Sequence, residues 1–206
     1  MKNPTADRKN IVVFNHPEAD TELAHLDALT IRGGQHMFAI AAARDWRFYF
    51  SRVFYSGVRR TWQAAMITLA AGHSDRLLPE RRNEFHFEET AREVFGPDYQ
   101  DALLRDSQLI KKRGGTVAAA LQISRYAQVA RGKVVEALLT LAADMVTGRE
   151  PSNLVFSHAS WFETAAVDPG TMPYGLGGAD AIVFEVEKGV IISSELVRAP
   201  PLGKIR

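Results

Sequence analysis

The chain contains no cysteine. Disulfides, thiolate metal sites and a cysteine nucleophile are therefore excluded, and with them a disulfide-framed secreted domain. An excess of charge of one sign is also missing: 25 Lys and Arg stand against 24 Asp and Glu, for a formal net charge of +1. No whole-molecule field would draw such a protein to nucleic acid or to an acidic membrane. Long hydrophobic runs are absent as well. No stretch of about 18 uncharged apolar residues occurs, so no transmembrane helix is expected. The opening residues 1–10 are polar and lack the apolar core of a signal peptide. The one Asn-x-Thr sequence, Asn3-Pro4-Thr5, is disqualified for glycosylation by its proline. These absences leave a cytoplasmic protein, or one inside an assembled particle, as the expectation.

What is present is a hydrophobic content of 46% in 206 residues, enough for a single domain over 1–206 with a proper core. The fold class expected is α+β: a mainly helical body over about residues 35–147, and a β-rich subregion over about 151–197 that supplies a small antiparallel sheet. From Thr116 to Thr147 the sequence reads as one long helix. Gln122, Arg125, Gln128, Lys133, Glu136, Thr140 and Asp144 form a narrow polar stripe, and nearly everything else is apolar. Such a helix must be covered on several sides, by its own domain or by a neighbouring subunit.

Asn10 to Asn15 is a β-branched run suited to a strand. Asp20 to Leu29 suits a short helix, and a proline-free block from Gln35 to Ala71 reads as helical. Further helices are expected over Glu80–Phe95 and Tyr99–Ile110, with Arg113-Gly114-Gly115 as punctuation. Asn153 to Ser157 is strand-like, whereas Asp168 to Gly178, rich in Gly and Pro, is loop. Ala181–Glu187 and Val190–Val197 flank Lys188-Gly189, the signature of a hairpin in which glycine supplies positive φ. Its neighbour in the sheet could be the N-terminal strand.

Three places could carry chemistry, of which the second, the triplets Arg32-Gly33-Gly34 and Arg113-Gly114-Gly115, reads as loop punctuation at helix boundaries. Arg44 to Arg60 interleaves arginines with aromatics, a composition that suits a core helix with outward arginines, a subunit interface or a nucleic-acid contact. Arg47, Tyr49, Phe54 and Arg59 in this block, with Val134 and Leu138 of the long helix, are the interface candidates. Six histidines, at 16, 25, 36, 73, 86 and 158, show no metal-ligand spacing, so no metal site is expected. Gly175-Leu176-Gly177-Gly178 precedes a strand, whereas a dinucleotide loop follows one.

The third place is C-terminal. Glu185 and Glu187 lie two apart on one strand face, with Ser157-His158-Ala159-Ser160 upstream. In order and texture this quarter of the chain resembles the later half of ADP-ribosyltransferase folds. The resemblance implies an NAD-dependent transferase in which Glu187 stabilises an oxocarbenium-like ribose, with Glu185 and Ser157 beside it. Any strand with one wet face gives the same alternation. Without a catalytic motif, the reading that the sequence favours is a non-enzymatic structural or interaction protein without cofactor. It would be a subunit of a virion-, phage- or plasmid-complex-like assembly, with other protein subunits or copies of itself as partners.

Overall fold

A computed structural model describes residues 8–17, 28–43, 50–71, 77–145 and 152–201. Its frame is a six-stranded mixed sheet in the order β3-β2-β4-β1-β5-β6. The strands are β1 (Arg8–Asn15), β2 (Phe50–Tyr55), β3 (Glu80–Arg81), β4 (Ser152–Ser157), β5 (Ala181–Glu187) and β6 (Val190–Val197). β1 pairs in parallel with β4, β4 with β2 and β2 with β3, while β5 runs antiparallel to β1 and β6 to β5. The sheet is thus larger than the small antiparallel one expected, and its centre is parallel.

Side chains of β1 alternate between two cores, as the two-residue period of a strand requires. Ile11 and Val13 enter one core with Phe54, Val155, Ile182 and Phe184. Val12 and Phe14 enter the other with Val53, Leu154 and Phe156. A strand buried on both faces reads as a continuous apolar run, and helices must cover both sides. Helices α1 (Ile31–Ala43) and α2 (Arg59–Ala71) cover the second face through Met37, Ile40, Ala64 and Ala65. On the first face lie α3 (Phe87–Phe95), α4 (Tyr99–Lys112), α5 (Val117–Ile123) and α6 (Arg125–Ala143).

Three helical expectations are corrected. The block from Gln35 to Ala71 is interrupted by β2, in which neighbouring Val53 and Phe54 are both buried but belong to opposite cores. Within the Glu80–Phe95 segment, β3 and a 3-10 turn at Asn83–Phe85 precede α3. The long helix divides at Ser124, whose extended backbone (φ −103°, ψ 119°) caps α6 while its hydroxyl accepts from the Ala127 amide. Serine competes well for helix-terminal amides. Gly33 and Gly34 lie within the first turn of α1, where Thr30 receives both amides.

Helix α6 is apolar around most of its circumference because its own chain surrounds it. Tyr126, Ala130, Val134, Leu138 and Leu141 are buried against β1, α3, α5 and a 3-10 turn at Phe162–Ala165. The Lys188-Gly189 hairpin forms as expected, with φ of +52° and +74° at the two turn residues, the combination a tight turn needs. Ile182, Phe184 and Val186 face the core of α6. No helix among the described residues is long and apolar enough to cross a membrane. The expected Asp20–Leu29 helix falls mostly outside the described residues.

Candidate active site

In sheets with a parallel centre, ligands gather where strand carboxyl ends meet their loops. His16 follows β1 directly, His158 follows β4 and Ser56 follows β2. The register Asn15↔Ser157 sets the two histidines side by side, and the His16 amide donates to the Ser157 carbonyl at 3.2 Å. Their rings meet edge to face with centroids 5.0 Å apart. The first turn of α2 brings Arg60 between them. Its Nε donates to His16 Nε2 at 3.1 Å, and Nη2 lies 3.3 Å from His158 Nδ1.

A guanidinium only donates, so each imidazole nitrogen facing Arg60 must carry a lone pair. The opposite nitrogens then carry the protons. His16 Nδ1–H donates to the Pro17 carbonyl at 2.6 Å. His158 Nε2–H donates to Ser56 Oγ at 3.0 Å, Ser56 in turn to Thr61 Oγ1 at 3.1 Å, and Thr61 to the Val58 carbonyl at 2.9 Å. A carbonyl can only accept, so the direction of the whole chain follows from its last member. Both rings are neutral. Burial brings His16 down to about 4, with the Arg60 charge adding to the effect and the Pro17 bond opposing it. Burial holds His158 well below the ordinary histidine range, helped by His16, Arg60 and His86.

His86 stands at the edge of this cluster, its ring 5.9 Å from that of His158, while the Phe87 ring lies 5.0 Å from His158. Burial lowers the His86 pKa, and the carboxylates of Glu88 and Glu89 act against that shift. A groove of about 420 Å³ between the 83–90 segment and α6 reaches His86, with Glu89, Lys133 and Glu136 among its walls. Asn15 supports the site from below. Its amide donates to the Leu176 and Gly177 carbonyls at 3.1 and 2.9 Å and accepts from the Ala159 amide at 2.9 Å. One buried side chain thereby laces the end of β1 to the segments that follow β4 and precede β5.

The residues singled out in the sequence fall elsewhere. Ser157 is buried, and its hydroxyl donates to the Phe85 carbonyl at 2.8 Å. Glu185 accepts from Ser193 at 2.8 Å and Glu187 from Arg8 at 3.3 Å. Glu187 pairs with Arg8 at the start of β1, whereas Ser157 pairs with Asn15 at its end. The structure therefore holds Ser157 and Glu187 at opposite ends of the sheet and does not bring them together. Phe54, Val134 and Leu138 are fully buried within the chain's own core, Arg59 is exposed on α2, and Arg47 and Tyr49 lie outside the described residues.

Metal-ligand spacing does not reveal the histidine pair, because its members lie 142 residues apart and meet only through the pairing of β1 with β4. The usable signal was different: a strand-like run ending in His occurs twice, at Ile11–His16 and at Asn153–His158. Arg60 carried no comparable signal, because β2 was not recognised as a strand.

No protein-family model and no curated protein sequence matches the chain. Solved structures do match in fold. A phosphoglycerate mutase from Bacillus anthracis str. Sterne is 13% identical, with 94% of this chain and 93% of that one covered and a TM-score of 0.60. A mycobacterial glucosyl-3-phosphoglycerate phosphatase is 14% identical over 94% and 100% of the two chains, with a TM-score of 0.55. A protein histidine phosphatase complexed with tungstate is 16% identical over 92% and 94%, with a TM-score of 0.52. This likeness shows a shared fold and overturns the expectation of a non-enzymatic virion-, phage- or plasmid-complex-like subunit. The architecture is one that these enzymes share, and the feature taken for an assembly surface, the apolar flank of α6, is filled by the chain's own core.

Proposed function

We propose that the chain transfers phosphoryl groups from phosphomonoesters to water, with His16 as the nucleophile. One observation carries this reading: a neutral imidazole whose Nδ1–H is fixed on the Pro17 carbonyl presents its Nε2 lone pair beside Arg60 and a second neutral imidazole. A nucleophile held unprotonated, next to a permanent cation with fork-like donors, suits a tetrahedral dianion. The fold likeness to a histidine phosphatase that carries tungstate, a phosphate-like oxyanion, supports it.

In the first step the His16 Nε2 lone pair attacks phosphorus. The ester P–O bond breaks with its electron pair, and the leaving alkoxide takes a proton. Arg60 turns its N–H groups from the imidazoles to the phosphoryl oxygens, whose charge it meets in the transition state. His86, at the rim, is the group assigned to supply the leaving-group proton from its protonated form, which burial disfavours and the nearby Glu88 and Glu89 carboxylates favour. In the second step water attacks the phosphohistidine and the P–N bond breaks, returning the lone pair to Nε2. The water's proton passes to His158 Nδ1, which Arg60 has vacated, and leaves to solvent while His86 takes up another, which restores the starting state.

The test is hydrolysis of p-nitrophenyl phosphate by the purified protein, with rapid acid-free trapping of a labelled phosphoenzyme. Wild type should turn over and form an acid-labile, base-stable adduct, and His16→Ala should lose both while remaining folded. Full activity in His16→Ala would overturn the assignment.

A further inference from the structure

Five residues beyond His158, the side chain of Glu163 turns into the interior and is wholly buried. Its Oε1 accepts two backbone amides, from Ser160 at 2.5 Å and from Gly175 at 2.8 Å. Ser160 stands at φ +64°, a left-handed conformation that a residue with a Cβ seldom adopts unless held there. Gly175 directly precedes Leu176 and Gly177, whose carbonyls receive Asn15. Glu163 therefore joins the turn that carries His158 to the loop fastened beneath His16.

The other oxygen, Oε2, is buried without a hydrogen-bond partner, and so are the Tyr126 hydroxyl and the Trp161 indole N–H. The three belong to one neighbourhood: the Tyr126 and Trp161 rings lie 6.2 Å apart, and the Glu163 charge helps raise the pKa of Tyr126. Interiors pair nearly all their polar groups, so three orphans together need a reason. From α6, Tyr126 and Arg131 face this pocket, and Arg131 donates to the Thr164 and Ala166 carbonyls. From the 166–180 segment comes Tyr174, which donates to the Ser160 carbonyl at 3.4 Å, and Asp106 of α4 acts on Tyr174.

We propose that Glu163 is a positioning residue for His158, holding the His158–Trp161 turn through its two backbone bonds in a way that alters when Oε2 gains or loses a proton. Its effect on catalysis rests on the function proposed above; its effect on the turn does not. As a carboxylate, Oε2 is a strong acceptor that draws the unpaired Tyr126 and Trp161 donors towards it. Once protonated it is a donor, and that pull is gone. Burial pushes the carboxyl up to about 7, against the lowering effect of the backbone bonds, so the exchange falls within the neutral range.

The experiment follows the NMR resonances of the His158 ring and the Trp161 indole across the neutral pH range, alongside kcat and KM for p-nitrophenyl phosphate. In wild type the His158 signals should shift with a midpoint near 7, although that imidazole itself titrates far lower, and kcat should follow the same midpoint with KM steady. Glu163→Gln keeps an acceptor for Ser160 and Gly175 but cannot titrate, so the midpoint should vanish from both readouts. Glu163→Ala, if it folds, should lower kcat by about tenfold or more with little change in KM, as expected from misplacement of a reacting group. A midpoint that persists in Glu163→Gln, or a wild-type His158 ring that feels none, overturns the proposal. A midpoint lost in Glu163→Gln, in a protein that hydrolyses no phosphomonoester, supports the proposal and overturns the function reading instead.

Discussion

At one end of the sheet, His16, Arg60 and His158 are joined by hydrogen bonds that span up to 102 residues of sequence once Ser56 is included. At the other end, Glu185 is bonded to Ser193, eight residues away across a hairpin, and Glu187 to a half-exposed Arg8. Both ends are polar, but only the first has lost its water. Burial there moves the titration of both imidazoles, and it strengthens every charge–dipole contact within the cluster. A carboxylate on a wet strand face is easy to see in a sequence because alternation displays it. Removal from water comes from tertiary packing and leaves no periodic mark.

The comparison can be broken most severely at Arg60. Replacing it by Lys keeps the charge but loses the fork that reaches both rings, and kcat/KM for p-nitrophenyl phosphate should fall roughly 100-fold or more. A fall of less than about threefold would mean that charge alone suffices at that end.

Next in size is the response to acid. His16 has a folded-state pKa of about 4, below its ordinary value, so between the two pH values the unfolded chain binds a proton that the folded chain does not. This contribution to stability is therefore complete above about pH 6.5 and is lost as pH falls towards 4. Catalysis needs the same unprotonated Nε2, so the limb of kcat/KM set by His16 should lie well below pH 6 and should be the acid limb that remains in Glu163→Gln. Glu163 acts in the opposite sense: its raised pKa removes stability as pH climbs from about 4.5 to 7. Thermal unfolding of Glu163→Gln against wild type at several pH values separates the two, because only the glutamate contribution differs between them.

A smaller effect is expected from Ser56→Ala. It leaves the His158 Nε2–H without its acceptor inside a dry pocket, which should cost about 1–3 kcal/mol in chemical denaturation and lower kcat more than it changes KM. The smallest belongs to the far end. Glu185→Gln with Glu187→Gln should leave turnover unchanged and stability within about 0.5 kcal/mol, since both carboxylates are only partly buried and keep contact with water. A large loss of activity in that double variant would erase the distinction between the two ends.

The sequence carried more of the fold than of the site. β1, β4, the β5–β6 hairpin and its Lys188-Gly189 turn were legible from β-branched runs and turn chemistry. β2 was not, because Phe50 to Tyr55 sits in an Arg-rich aromatic block whose residues suit a helix equally well. The break at Ser124 was hidden for a related reason: a serine within an apolar-periodic segment interrupts nothing until its hydroxyl finds an amide. The site stayed hidden because it joins residues 16, 56, 60 and 158, and only the register of three parallel strands brings them together.

β1 lies between β4 and β5, so its two partners come from residues 152–157 and 181–187. A chain emerging from the ribosome therefore presents the Ile11–Phe14 run more than a hundred residues before either neighbour has been made. Such high contact order slows folding and leaves an unpaired apolar strand exposed to aggregation in the meantime. It also makes synthesis itself a safeguard: a nascent chain halted before His158 holds His16 without its companion, so its reactive pair is assembled only after four of the six strands have been translated.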